Sequence, residues 1–259
     1  MIQRVSLSII IPALNASATI GRALESVLRQ TLSDWELLLM DGGSNDETVA
    51  IADSYKDSRI KIHVASDDGI YDAMNHGIRL SHGDWLYFLG ADDYLIEPDV
   101  LEKMLDGTTD LDVVYGDVQA PQLPPEFHGE WGPEKLSYNR CHQAVIYRRT
   151  VFDSIGLYPL KYAVCADYYI NLRVFLDRRI RMKYKPVVLA HYSDGGVSTI
   201  RQDVAFYNDC DRIVVRYGWR TLPKQQLAKH CKAALSHHCT YLQRAALTLL
   251  QVWLNIALK

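Results

Sequence analysis

The most constraining feature of this chain is the apolar run Trp85-Leu86-Tyr87-Phe88-Leu89, which passes through Gly90-Ala91 and ends on two adjacent acids, Asp92 and Asp93. An unbroken apolar run of this length reads as a strand buried on both faces, the pattern of a parallel sheet covered by helices. Ligands of such sheets bind at the carboxyl ends of the strands, where paired carboxylates can hold a divalent cation against a phosphate. The same two acids could equally cap a following helix. Their neighbours have to decide.

Two other apolar runs end in a similar way. Leu7-Ser8-Ile9-Ile10-Ile11 is stopped by Pro12, Ala13, Leu14 and Asn15, and Trp35-Glu36-Leu37-Leu38-Leu39-Met40 ends on Asp41 and a Gly42-Gly43-Ser44 turn. The pattern predicts strands near residues 6–11, 35–40, 60–64, 85–89 and 112–116, and helices near 18–30, 46–55, 70–80 and 98–106. Ser17 reads as the cap of the first helix, with Ile20, Ala23, Leu24, Val27 and Leu28 on one face. Strand–helix alternation of this kind implies an α/β fold with a mainly parallel sheet flanked by helices. Residues 121–133 hold four prolines, two glycines and no helical period, and read as a loop between two halves.

Taken in order with Asp67-Asp68-Gly69-Ile70-Tyr71-Asp72-Ala73-Met74-Asn75, these segments resemble the amino-terminal half of family 2 glycosyltransferases, whose nucleotide-sugar domain has the GT-A fold. The resemblance is continuous over about the first 95 residues and returns in pieces to about residue 200. It implies a nucleotide-sugar half at residues 1–118, an acceptor-binding and catalytic half of the same GT-A domain at 119–200, and a C-terminal helical extension at 201–259.

The site residues follow from the same resemblance. Pro12, Ala13 and Asn15 would line the nucleoside, and Asp41 would accept the imide N–H of a uracil or similar base, unless it only caps its glycine turn. Asp68 resembles the acid that contacts ribose or base, and Asn75 lies on the helix beside the donor; packing or capping is the alternative for both. Asp93 is the expected metal ligand and Asp92 the contact to ribose or sugar. The DXD motif here reads Ala91-Asp92-Asp93, which leaves fewer protein ligands, so Mn2+ or Mg2+ would be held mostly by the diphosphate of a UDP-sugar and by water. His191 could approach the same cation or be structural, and Gly195-Gly196-Val197-Ser198 resembles the family's Gly-Gly-x-Ser loop. Asp167 resembles the catalytic base of inverting members, although many relatives carry Glu-Asp where this chain has Ala166-Asp167, and helix capping is its plainer role. His142, with Gln143, would lie on the acceptor side.

Charge separates the tail from the rest. After Asp211 there is no acid, while Arg212, Arg216, Arg220, Lys224, Lys229, Lys232, Arg244 and Lys259 supply eight cations; removing them from the net −3 leaves −11 for residues 1–211. Leu227, Cys231, Leu235, Tyr241, Leu242, Ala245, Leu249, Val252, Trp253 and Ile256 recur at helical steps, so the tail reads as a basic amphipathic helix. Such a helix suits an anionic membrane surface; packing on the domain and a homo-oligomer contact are the other readings. Five cysteines without a CxxC pair, no segment of about 18 apolar residues and no signal sequence suggest a reduced, cytoplasmic protein, peripheral at the inner face of the cytoplasmic membrane.

The resemblance, together with the basic tail, implies a hexosyl- or N-acetylhexosaminyltransferase that acts on a glycan or polyprenyl-diphosphate-linked saccharide in bacterial surface polysaccharide synthesis. A non-catalytic nucleotide-sugar-binding subunit is the alternative, and the presence of Asp167 argues against it. No G-x-G-x-x-G follows the first strand, which disfavours a dinucleotide-binding enzyme. The apolar face of the tail disfavours nucleic acid.

Overall fold

The computed structural model describes residues 6–120, 128–193, 202–236 and 241–258. Four strands, β1 (Leu7–Ala13), β2 (Trp35–Asp41), β3 (Ile60–Val64) and β4 (Trp85–Phe88), run parallel in the order β3-β2-β1-β4. Every residue of β1, β2 and β4 is buried, which is why they read as unbroken apolar runs. Chain order diverges on either side of β1, toward β2 and toward β4, so the carboxyl ends of β1 and β4 flank a switch point where such sheets bind ligands.

The helices between these strands are α1 (Ile20–Leu28), α2 (Thr48–Ser54) and α3 (Ile70–Leu80), and α4 (Val100–Leu105) follows β4. Alternate residues of β1 point into two different cores. Ile9 and Ile11 pack with Ile20, Leu24 and Leu101, and Ile10 packs with Met74, Ile78 and Phe88. Helix α3 lies so close to β1 that a Cβ on Gly77 would come 2.5 Å from Ile10 Cγ2. The expected cap at Ser17 is not formed. Thr19 precedes α1 without a side-chain cap, and the Ala16 and Ser17 N–H groups instead donate to Thr48 Oγ1 (2.8 Å) and Asp46 Oδ2 (3.0 Å), tying the β1–α1 loop to the start of α2.

The sheet continues from β4 through β7 (Val145–Arg148), β6 (Val113–Gln119) and β8 (Met182–His191) to the two-residue β5 (Tyr94–Leu95). Among the described residues four of the seven strand pairings are parallel. β5, β7 and β8 lie outside the five strands expected from apolar runs: β5 and β7 are only two and four residues long, and β8 carries Lys183, Lys185 and Pro186. Residues 121–127 of the expected loop lie outside the described residues. From residue 128 the chain folds back, with Gly129 N–H donating to Asp117 Oδ1 at 2.8 Å and buried Trp131 against Phe175.

Helices α5 (Arg149–Ile155) and α6 (Ala166–Leu176) cover the face opposite α1. Among the described residues the tail forms three helices, α7 (Val204–Gly218), α8 (Lys224–Ser236) and α9 (Tyr241–Ala257). Of its expected apolar stripe, Leu227 and Cys231 are buried, and they are joined by Leu247 and Leu254, which lay off that stripe. Leu227, Cys231, Leu247 and Leu254 bury one another with Val215 of α7, while Leu249, Val252 and Trp253 remain exposed by 73%, 51% and 54%.

Candidate active site

On the nucleoside side, Pro12 and Ala13 end β1, buried, and the Ala13 carbonyl accepts the Gly42 N–H at 2.9 Å. Asp41, opposite Ala13 and 1% exposed, accepts the N–H groups of Gly43 (3.0 Å) and Ser44 (2.8 Å) through Oδ1 and the Ser44 hydroxyl through Oδ2. Asn15, with φ of 51°, donates its N–H to Ser44 Oγ and accepts from Asn45 N–H. The two loops are thus locked together through Ser44, and Asp41 visibly caps its turn. Asp68 is exposed, and its N–H donates to Asp72 Oδ2. Asn75 is 3% exposed, with its amide bonded both ways to the Tyr158 backbone at 2.9 Å. Both polar atoms of its amide are thus used in holding α3 to the Tyr158 backbone.

The acid pair follows β4 directly. Asp93, 2% exposed, accepts the Ser193 N–H through Oδ1 (2.8 Å) and the Gln143 amide through Oδ2 (2.6 Å). Burial pushes its carboxyl above the ordinary range and the Asp92 charge adds to this, against the two hydrogen bonds. Gly90 is required by close approach, since a Cβ there would meet Asp93 Oδ2 at 2.4 Å and Asp92 Oδ1 at 2.8 Å. The Asp92 backbone carbonyl accepts from Arg22 (2.8 Å) and Ser193 Oγ (2.6 Å). Arg22 also lies over the Tyr94 ring, which stacks on His191 with centroids 4.7 Å apart. The Gly195–Ser198 loop lies outside the described residues.

Asp167 begins α6, 5% exposed. Its Oδ1 accepts the Tyr168 N–H (2.7 Å) and lies 3.0 Å from the Tyr71 hydroxyl, and its Oδ2 accepts the Asn139 amide (3.0 Å). His142 Nδ1 stands 3.6 Å from the same Oδ2, and its Nε2 is buried without a partner among the described residues. Between these groups Cys141 is pushed up to about 12, first by burial and then by the charges of Asp167 and Asp93, so its thiol stays protonated and is no nucleophile. Residues 139–143 therefore bridge the two carboxylates: Asn139 holds Asp167, and Gln143 holds Asp93.

Sequence reasoning missed several of these groups. Asn139 sits in a stretch with no period. Ser193 acts on Asp93 through its backbone, and Arg22 looks like any exposed helical arginine. Tyr71 stood in a quoted segment, but its contact with Asp167 spans 96 residues of sequence.

A divalent cation fits this site only partly. Among the described residues no three acids, histidines or cysteines gather as a cage. The Asp93 oxygens each keep a second lone pair, and His191 Nδ1 is buried with no partner among the described residues, so one or two protein ligands are available and the rest must come from ligand and water.

Comparison with known proteins identifies the family and the fold. A family model described as "Glycosyl transferase family 2" matches residues 8–129. The PGL/p-HBAD biosynthesis glycosyltransferase of Mycobacterium tuberculosis is 43% identical over 208 residues, covering 77% of this chain and 81% of its own. The Escherichia coli UDP-Glc:alpha-D-GlcNAc-diphosphoundecaprenol beta-1,3-glucosyltransferase WfgD is 29% identical over 184 residues, covering 67% and 71%. Staphylococcus aureus TarS 1–349, solved with UDP-GlcNAc, superposes with a TM-score of 0.72 at 18% identity, over 89% of this chain and 73% of that one, and shares the GT-A fold. The chain is an enzyme of glycosyltransferase family 2.

Proposed function

We propose that this protein is an inverting transferase that moves a hexose or N-acetylhexosamine from a UDP-sugar to a hydroxyl of a lipid-linked saccharide in bacterial surface glycan synthesis. The observation that carries the reading is the 139–143 segment, which joins Asp93 at the donor-side strand ends to Asp167 in one buried site. Asp167 accepts the proton of the acceptor hydroxyl, whose oxygen attacks the anomeric carbon. The bond to the diphosphate oxygen breaks on the opposite face, and its electron pair leaves with the nucleoside diphosphate. Configuration inverts, and no covalent enzyme intermediate is required.

Asp93 and His191 are the residues that would hold Mn2+ or Mg2+, with Asp92 turned to ribose or sugar. When bound, the cation would neutralise charge on the departing diphosphate. Pro12, Ala13, Asn15, Asp41 and Asp68 form the nucleoside side. Both oxygens of Asp41 are already engaged, so it would receive a base N–H through a remaining lone pair. His142 serves the acceptor or the diphosphate, since its Nε2 is buried without a partner among the described residues.

The acceptor reading is supported by WfgD, whose name states a diphosphoundecaprenol-linked acceptor, and by the tail. Among the described residues no helix is long and apolar enough to cross a membrane. The outward Leu249, Val252 and Trp253 of α9, with Lys224 over the Trp253 ring, suit an anionic bilayer surface. Leu249→Asp with Trp253→Asp should release the protein from phosphatidylglycerol vesicles in flotation; undiminished binding removes the membrane role.

The test of the whole reading is calorimetry with UDP, GDP, CDP and dTDP, with and without Mn2+. Selective UDP binding that tightens with Mn2+ is expected. Equal affinities for all four, or indifference to the metal, would remove the donor or the metal assignment respectively.

A further inference from the structure

A carboxylate that only capped α6 would be satisfied by backbone N–H groups of the first turn. Asp167 has one such bond, from Tyr168, and is otherwise gripped by side chains from outside its helix. Tyr71 reaches it from α3, and Asn139 from the segment preceding β7. The Tyr71 hydroxyl has one proton, shared between Asp167 Oδ1 at 3.0 Å and the Val164 carbonyl at 2.6 Å, so it ties the carboxylate to the approach of its own helix. Its ring is stacked on Tyr158 with centroids 5.4 Å apart, and Asn75 fixes the Tyr158 backbone.

Asn139 is oriented just as firmly. Its Oδ1 accepts from Asn171 Nδ2 at 3.2 Å; Asn171 also donates to the Arg140 carbonyl (2.6 Å) and accepts the Tyr147 hydroxyl (2.6 Å). A chain of hydrogen bonds thus runs from β7 through α6 to one oxygen of Asp167, and a second chain runs from α3 to the other. Each oxygen is fixed from a different wall of the fold, the arrangement that holds a reacting group to a fraction of an ångström.

We propose that Tyr71 and Asn139 are the positioning residues of Asp167, setting the direction from which it can take a proton. The inference rests on Asp167 being the base. Neither residue need touch substrate, so their loss should appear in kcat rather than in KM.

The test measures kcat, donor KM and acceptor KM for Asp167→Asn, Tyr71→Phe, Tyr71→Ala and Asn139→Ala, with melting temperatures beside them. Tyr71→Phe keeps the ring and removes only the hydroxyl. The proposal expects it to lower kcat by about 10- to 100-fold, with both KM values within about twofold, and Asn139→Ala to do the same. A purely packing role predicts that Tyr71→Phe works normally while Tyr71→Ala fails; that result, or an Asn139→Ala enzyme with normal kcat, overturns the proposal. Full turnover by Asp167→Asn is the separate outcome that removes the base reading and the proposal with it.

Discussion

The same parallel strands carry a buried acid at each of their two edges, and the two are treated in opposite ways. At the amino edge, Glu36 has a side chain 3% exposed and accepts from Ser8 Oγ (2.7 Å), Lys61 Nζ (2.6 Å) and the His82 N–H. Burial alone would push its carboxyl up, but the bonds from Lys61, Ser8 and His82 outweigh this and hold it at about 2. At the carboxyl edge, Asp93 is as deeply buried, yet among the described residues it accepts only a backbone N–H and an amide, with Asp92 alongside and His142 as a lesser opposing charge, and its carboxyl lies above the ordinary range. A buried acid with its cation built in stabilises the scaffold. One left without a cation carries an electrostatic strain that a ligand can relieve, and acids of that kind gather at functional sites.

The sharpest way to break this contrast is Asp167→Asn, which keeps the shape of the side chain and removes its basicity. Transfer should fall by about 10³-fold with little change in melting temperature. Near-normal turnover would make the carboxyl edge as structural as the amino edge. Next is Asp93→Asn, where kcat/KM should fall by about 100-fold while the fold holds or gains stability. An acid whose folded value is raised contributes stability that is complete below its unfolded value and lost as pH rises through the folded one, because its charged form is disfavoured by the fold. The new amide would meet the Gln143 amide donor to donor, but Gln143 Oε1 is unpartnered among the described residues, and a flip lets it accept. A melting temperature well below wild type would mean that Asp93 is a scaffold acid after all. Gly90→Ala should act more mildly, by about tenfold, because its Cβ displaces carboxylate ends rather than backbone; the donor KM should carry most of that loss.

How much of this was legible follows the same division. The apolar runs that became β1, β2 and β4, and the acids that close them, can be read because a strand buried on both faces writes its burial into consecutive residues. Asp41, Asp93 and Asp167 were singled out by position and family resemblance. What held them was not legible. Tyr71 meets Asp167 across 96 residues, Ser193 meets Asp93 across 100, and Gln143 meets it across 50, pairings fixed by how the second half folds over the first. In the tail a helical period cannot tell which face a neighbouring helix will cover: α7 and α8 bury Leu247 and Leu254, which lay off the expected stripe, and leave its Leu249 and Trp253 outside.

The gentlest test concerns the amino edge. Glu36→Gln should leave kcat and both KM values unchanged, since Glu36 sits at the opposite edge of the sheet from the carboxylates, yet it should cost about 2 kcal/mol of stability. The drop from the ordinary value of 4.5 to about 2 sets a ceiling of about 3 kcal/mol, and Lys61, 44% exposed, trims it by turning to water when its partner is lost. The sign runs opposite to that of Asp93. A lowered carboxyl contributes stability that is complete above its unfolded value and disappears as pH falls through the folded one. Denaturant melts of wild type and Glu36→Gln should therefore differ at pH 7 and converge as the pH is taken from about 4.5 toward about 2. A gap that persists at the acid end would assign the stabilisation to the shape and hydrogen bonds of Glu36 rather than its charge, and the contrast between the two edges would no longer be electrostatic.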